Sequence, residues 1–413
     1  MDRRMLLQAG GMGLVGLGFG GCATGAGTAR TTVGPRRVVN LVPVRASWDR
    51  VIRTTVGLRP HRPSGFVVKA ERLDAKTVVH NYGHGGAGHS LGWGTGYLAA
   101  ELAIEHDERR AAVIGCGTVG LTAARQLQRR GFDVTIYAQS VPPDTTSNMA
   151  LAAFTPTSGL VDNNQRTPLW DAQFRRAAEI GYRQLQLLVG RQNGVSWIHS
   201  YSLMNDIRQR VGPGGSSLLP QDVRIGGVVL QPGEHPFPST YTSRRPSLRI
   251  EPSIYLDALV RDVLFFGGRI VIRKFDEPRD FMALDESLIV NCTGLGSRAL
   301  FGDEELIPVK GQLTVLVPQA EVNYATFGAI PGSAAAQSGF VHMMPRSDGI
   351  VLGGTTERGV WDLAPNEDAR RRIVDAHIEL FAAMRAPEMA ARVPNHEAPA
   401  AVPSLESFFD LAS

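Results

Sequence analysis

The chain has 413 residues, 43% of them hydrophobic and 20% charged, which is enough apolar material for a large core and excludes a chain disordered throughout. Its 43 Lys and Arg against 39 Asp and Glu are scattered rather than gathered into runs, which excludes a nucleic-acid footprint. Length alone suggests about two folding units.

The first 25 residues stand apart. MDRRM is followed by an uncharged, glycine-rich stretch over 6–21, and Cys22 then precedes ATGAGT. This pattern reads as a twin-arginine export signal, so an exported, periplasmic or membrane-anchored bacterial protein is expected. Cys22 is a candidate lipid anchor and the one expected membrane contact, although Phe19 stands where lipoprotein signals carry Leu. Gly11, Gly13 and Gly16 spell GxGxxG, but no strand precedes them and the motif is discounted.

After a linker over 26–35, VVNLVPV (38–44) reads as a strand and LRPHRP (58–63) as a proline-rich turn. FVVKAERL (66–73) and TVVHNY (77–82) read as two strands around a turn at Asp74. HNYGHGGAGHSLGWGTG (80–96) comes next and runs into an amphipathic helix ending near His106. Then AAVIGCGTVGLTAARQLQRRGFDVTIYA (111–138) predicts a strand, a helix over 121–130 ended by Gly131, and a second strand. Further helices are expected over 169–188 and 367–384, and a helix-turn-strand unit over 254–275. The region 193–249 reads as turns with short strands. LIVNCTGLG (288–296), GQLTVLVP (311–318) and GIVLGG (349–354) read as strands, and the tail 385–413 is left undetermined.

Gly115, Gly117 and Gly120 follow a strand and open a helix, the setting in which GxGxxG holds a dinucleotide. The first glycine permits the turn, the second lets backbone approach a pyrophosphate, and the third lets helix and strand pack closely. Where an acidic residue usually anchors the ribose, this chain has Gln139. Cys116 and Cys292 are expected to be buried free thiols. His80, His84 and His89 admit a metal reading, but their spacing matches no established zinc site and no metal is expected.

Seven blocks, TTVGLRPHRP (54–63), VVHNYGHGGAGHSLGWG (78–94), VIGCGTVGL (113–121), PPDTTSNMALAAFTP (142–156), VNCTGLGSRAL (290–300), PVKGQ (308–312) and GGTTERGVWD (353–362), together resemble the D-amino-acid oxidase family of FAD flavoproteins. The resemblance spans roughly 36–384. Its order departs from the family, in which the GLRPxRP and HNYGHGG blocks follow the dinucleotide unit, so it looks like a circular permutation joined through HDERR (106–110). Short surface distances between chain termini make such a rearrangement physically reasonable.

The resemblance implies FAD as cofactor. It places Gly85, Gly86, Ala87, Gly88, His89 and Ser90 in a loop around the flavin, where main-chain N–H groups, that of Gly86 included, receive charge as the flavin is reduced. Ala87 replaces an aromatic often present there. Thr145, Thr146 and Ser147 match the hydroxyl run that binds the FAD phosphates and ribityl chain. Ala152 and Ala153 match a flavin contact, and Phe275 a position at the adenine end. Arg59 matches the arginine that grips the substrate carboxylate, with Arg62 in a structural or supporting role. At the family's substrate tyrosine stands His342, either a replacement donor, carrying positive charge if protonated, or a core histidine.

The implied fold is α/β, with a Rossmann-like FAD-binding lobe interleaved with a substrate lobe built on a mixed β-sheet. The FAD lobe is expected over 63–160 plus 246–303, and the substrate lobe over 36–62 plus 161–245 plus 304–384. The implied activity is FAD-dependent oxidative deamination of a D-amino acid to a 2-oxo acid, ammonia and hydrogen peroxide. The competing readings are an amino-acid or amine dehydrogenase using an acceptor other than oxygen, and a flavin-binding protein without turnover.

Overall fold

The computed structural model describes residues 38–151, 153–208, 218–330, 333 and 340–386. The expected export signal with Cys22, the linker over 26–35, Ala152 and most of the tail lie outside the described residues.

In chain order the first half contains β1 (Val51–His61), β2 (Val67–Leu73), β3 (Lys76–Tyr82), α1 (Gly88–Ile104), β4 (Arg110–Ile114), α2 (Thr118–Gln128), β5 (Asp133–Ala138), α3 (Pro168–Leu187) and β6 (Val195–Met204). The second half contains β7 (Val228–Leu230), β8 (Tyr241–Ile250), α4 (Pro252–Phe265), β9 (Arg269–Ile272), β10 (Leu288–Asn291), α5 (Gly296–Phe301) and β11 (Ile307–Leu316). β12 (Tyr324–Phe327), β13 (His342–Arg346), β14 (Gly349–Gly353), β15 (Glu357–Arg358) and α6 (Glu367–Ala382) complete it. Local chemistry sets several ends: Thr167 Oγ1 accepts from the Trp170 amide ahead of Pro168 to open α3, and Asn366 does the same with Ala369 for α6.

Among the described residues the strands form two sheets. The six-stranded sheet runs β2-β3-β10-β4-β5-β9, and all its pairings are parallel except β2 with β3. The second sheet runs β1-β11-β14-β13-β12-β6-β8-β7, with β15 beside β11, and is mixed: β12 pairs parallel to β6, while the other pairings are antiparallel. The β4-α2-β5 unit has the expected strand-turn-helix-strand order. Two sheets with helices on their faces meet the α/β expectation.

One core cluster joins the first sheet to α1, α2, α3 and α4 through Leu91, Leu121, Phe174 and Leu256. Another seats Ile373, Leu380 and Phe381 of α6 on the second sheet. α1 is the hub, buried on most of its surface. Its glycines permit that: a Cβ at Gly94 would stand 1.9 Å from the Ala177 carbonyl oxygen of α3, and one at Gly96 would stand 3.0 Å from the Ala123 backbone of α2. The later glycines of HNYGHGGAGHSLGWGTG therefore serve close helix packing rather than a loop.

Four expectations are corrected. Residues 38–44 form no strand, because their carbonyls go to side chains: Tyr324 Oη donates to Val42 O and Gln319 Nε2 to Pro43 O. Residues 58–61 are not a turn but the end of β1, in ladder with β11. β6 and β8 are ten-residue strands in full antiparallel register rather than short ones. The 245/246 boundary falls inside β8, and α3 packs on α1 rather than on the second sheet, so 161–245 does not group as expected.

Candidate active site

A cavity of 940 Å³ opens where the two sheets face each other. Every parallel strand of the first sheet contributes the residues just past its C-terminal end: Gly83 after β3, Cys292 and Thr293 after β10, Gly115 to Gly117 after β4, Gln139 after β5, and Arg273 to Asp276 after β9. This is the crevice in which open α/β sheets bind ligands. The opposite wall is the second sheet.

The three glycines after β4 divide their work. Gly115 adopts φ +114°, and a Cβ there would meet Cys292 O at 2.5 Å. At Gly117 a Cβ would stand 3.0 Å from Ser147 Oγ, inside the cavity wall. A Cβ at Gly120 would sit 2.0 Å from Gly115 O; Gly120 is a packing glycine and does not line the cavity. Ser147 Oγ accepts from the Thr118 amide at 3.0 Å, tying the hydroxyl run to the N-terminus of α2. Thr145, whose hydroxyl donates to Asn148 Oδ1 at 2.8 Å, and the exposed Thr146 also line the cavity. Ala153 and Phe275 line it as well, the latter packed on Tyr137 and Phe281.

The loop before α1 is held by protein as much as it is shaped for a ligand. Gly85 has φ +52°, and its Cβ would stand 1.9 Å from Gly159 O; the Gly86 amide donates to Ser158 O at 3.0 Å. Gly85, Gly86, Gly88 and His89 reach the cavity wall. Ala87 and Ser90 do not. Ala87 is fully buried with its amide on His84 O, and the Ser90 hydroxyl donates to Ala153 O while accepting from the Thr155 amide. The main-chain donor expected at Gly86 is thus already engaged.

The three histidines diverge. His80 accepts from Asn291 and faces Glu71, His84 shares a 2.8 Å hydrogen bond with Thr95 Oγ1, and His89 Nε2 is buried with no protein partner. Burial drives His84 down to about 3 and His89 to about 4, so both are neutral. Among the described residues no group of three metal-ligating side chains exists. Burial likewise raises the Cys116 thiol to about 12 and the Cys292 thiol further, leaving both unreactive.

On the second sheet, Arg59 projects from β1 into the cavity across Gly311, where a Cβ would stand 2.4 Å from its Nη2. Among the described residues its guanidinium forms no hydrogen bond or ion pair, and burial alone lowers its pKa. Arg62, by contrast, is spent on Asp303 at 2.9 Å and Glu305 at 3.1 Å. His342 lines the same cavity from β13, over Gly353 and beside Phe327 and Phe340, with both ring nitrogens buried and unpartnered. Burial first, then the nearby His377 and Arg59 charges, drive it down to about 3. A protonated His342 is thus ruled out near neutral pH, and it acts as a neutral polar ring.

Sequence reasoning missed Asn81, whose side-chain amide lies buried in the cavity wall beside the Cys292 thiol, and Gly311 and Gly353, which make room for Arg59 and His342. Asn81 stood inside HNYGHGG; the glycines show no signal without the cross-strand register. The orphaned Nε2 of His89, the buried amide of Asn81 in the wall and the glycine turn after β4 fit a flavin dinucleotide.

Comparison with known proteins agrees with this geometry. Residues 110–399 match the model of a family described as FAD dependent oxidoreductase. The chain is 28% identical to a human D-aspartate oxidase over 65% of its length and 74% of the relative's. It is 28% identical to a D-amino-acid oxidase of Rubrobacter xylanophilus, covering 70% of this chain and 81% of the relative. To a D-amino-acid oxidase of Streptomyces coelicolor it is 29% identical, over 72% and 84%.

Proposed function

Because the chain belongs to the FAD-dependent oxidoreductase family and so takes FAD as cofactor, we propose that it deaminates a D-amino acid oxidatively. With oxygen as acceptor the products are a 2-oxo acid, ammonia and hydrogen peroxide. The names of the relatives support the reading, and one observation carries it: Arg59 is a largely buried cation in the cavity wall with no acidic partner among the described residues. Such a charge calls for an anion, and a carboxylate matches the guanidinium fork.

Bound FAD supplies the hydride acceptor. The protein supplies placement. The residues past β4 and the run Thr145 to Ser147 would hold the phosphates and ribityl chain, and Asn81 and His89 would face the polar edges of the ring system. Arg59 fixes the substrate carboxylate, and neutral His342 offers it one N–H, with Phe327 and Leu313 shielding them. With both carboxylate oxygens held, the plane of the carboxylate is fixed in the cavity.

The test is anaerobic mixing of the yellow enzyme with D- and L-amino acids, followed by air and a peroxide assay. Bleaching by D- but not L-enantiomers, with peroxide on reoxidation, is expected. Bleaching without peroxide assigns another acceptor, and no bleaching sinks the reading. Export through residues 1–25 belongs to the same proposal; loss of the protein from the exported fraction on replacing Arg3 and Arg4 by Lys is the check.

A further inference from the structure

In a dinucleotide-binding unit the adenosine ribose is ordinarily held by an acidic residue at the end of the second strand, where a carboxylate accepts from the ring hydroxyls. In this chain the residue just past β5 is Gln139, exposed in the cavity wall, and Ser140 follows it. Neither brings a charge; an amide oxygen and a hydroxyl are the only acceptors there. Among the described residues one carboxylate lines the cavity, that of Asp276.

The sheet brings Asp276 to the same corner. β9 lies parallel to β5 with Ile272 opposite Ala138, and the Arg273 amide donates to Ala138 O at 2.9 Å. The two chains therefore leave the sheet side by side, about 4.8 Å apart. Gln139 is the first residue beyond β5, Arg273 the first beyond β9, and Asp276 comes three residues later. The intervening segment is fixed. Phe275 is buried against Tyr137 of β5 and against Phe281, with the Arg273 guanidinium 4.9 Å from its ring centre. Asp280 then accepts from the Asp276 amide at 2.7 Å and from the Glu277 amide at 3.1 Å. Asp276 thus has a settled backbone, while its side chain stays at the cavity rim. There it pairs with Lys274, but the two side chains are 72% and 64% exposed, and a pair so open to water contributes little and is easily parted.

We propose that Asp276 holds the ribose hydroxyls of the FAD adenosine, so that the acid comes from the strand beside the one that ordinarily supplies it. Hydroxyl groups donating to a carboxylate make bonds roughly twice as strong as to a neutral acceptor, which is what Gln139 forgoes. This role is independent of which substrate the enzyme takes.

The test is flavin binding by the full chain, stripped of its flavin and titrated with no substrate present, with quenching of flavin fluorescence as the readout. FAD is compared with FMN, which lacks the adenosine, and with an FAD analogue whose adenosine lacks both ribose hydroxyls. D276N is expected to bind FAD about tenfold more weakly than the wild-type chain, the worth of one hydrogen bond to a charged group, and to bind FMN as the wild type does. The wild-type chain should likewise prefer FAD to the analogue by about tenfold, and D276N should bind the two alike. Wild-type affinity for FAD in D276N overturns the proposal, as does an equal loss for FAD and FMN. A D276N that still prefers FAD to the analogue overturns it too.

Discussion

Gly311 lies beneath the Arg59 guanidinium so closely that a Cβ there would stand 2.7 Å from Cζ and 3.1 Å from Nη1. The register that pairs Gly57 with Gly311 and Arg59 with Val309 makes this seat, and no other residue fits it. Gly311→Ala should lift the guanidinium by an ångström or so while leaving the β1/β11 ladder intact. The expected result is a loss of about a hundredfold in kcat/KM with unchanged flavin content. Arg59→Ala should raise KM at least as far. Normal kinetics for both would remove Arg59 from the site.

His342 offers a separate test. Its ring occupies the space above Gly353, where a Cβ would be 2.3 Å from Nε2, and both its nitrogens lack protein partners. If it holds substrate, His342→Phe should raise KM by about tenfold, the worth of one hydrogen bond to a charged group. Thermal unfolding should change little, since the phenyl ring fills the same volume beside Phe327 and Phe340. An unchanged KM would make His342 a core residue.

Which glycines serve packing can be settled by stability alone. Gly94→Ala and Gly120→Ala put a Cβ within 2.0 Å of backbone carbonyl oxygens, so each should cost about 2–3 kcal/mol or more. A Cβ at Gly226 meets nothing within 4 Å, and Gly226→Ala should fall within about 0.5 kcal/mol of wild type. Urea unfolding of the three variants is the measurement. Gly94→Ala behaving like Gly226→Ala would contradict the close α1/α3 contact.

The β4-α2-β5 unit was legible because its signal is local: strand, turn glycines and helix follow one another within one short run. Arg59 and His342 were legible only through resemblance to a family. What stayed hidden was set across the sheet. β1 reads as a turn because Pro60 and Pro63 dominate its local pattern, yet ten ladder positions opposite β11 make it a strand. Gly311 and Gly353 carry no local signal, since their meaning comes from which strand lies beside them. The glycine-rich run after β3 looked like a single loop, but backbone contacts from α2 and α3 turn its second half into a helix.

Acid should unfold this protein early. His84 and His342 are held down to about 3, and His89 and His377 to about 4, chiefly by burial, with nearby positive charge adding to it at His342 and His89. In the unfolded chain each protonates near pH 6.5. Between about pH 6.5 and 4 the unfolded state therefore binds up to four more protons than the native state through these groups. Stability falls as pH falls across that window, by up to about 1.4 kcal/mol per pH unit for each histidine, and the effect is absent above pH 7. Urea midpoints at pH 7, 6 and 5 should drop steeply. A flat profile to pH 5 would mean that these rings are not buried neutral.

The last prediction concerns chain order. Val39 N donates to Glu234 O at 2.9 Å and Arg385 N to Pro236 O at 2.9 Å, so positions 39 and 385 are fastened to one turn, two residues apart. At about 3.5 Å per residue, a linker of some six residues spans them with slack. The connector between α1 and β4 is exposed at Asp107 and Arg109, while Glu108 is anchored by Ser287 and Arg110. A chain that starts at Asp107, runs to Arg385, crosses the linker and ends at His106 would carry β4-α2-β5 first and GLRP and HNYGHGG last. It breaks no strand pairing and leaves α1 between α2 and α3. It should fold, bind FAD and keep its flavin spectrum, with stability within a few kcal/mol of the parent, because closing one loop and opening another of this size changes chain entropy little. Failure to retain flavin, with a soluble chain of normal helix content, would show that the α1-to-β4 connection is itself needed to shape the cavity.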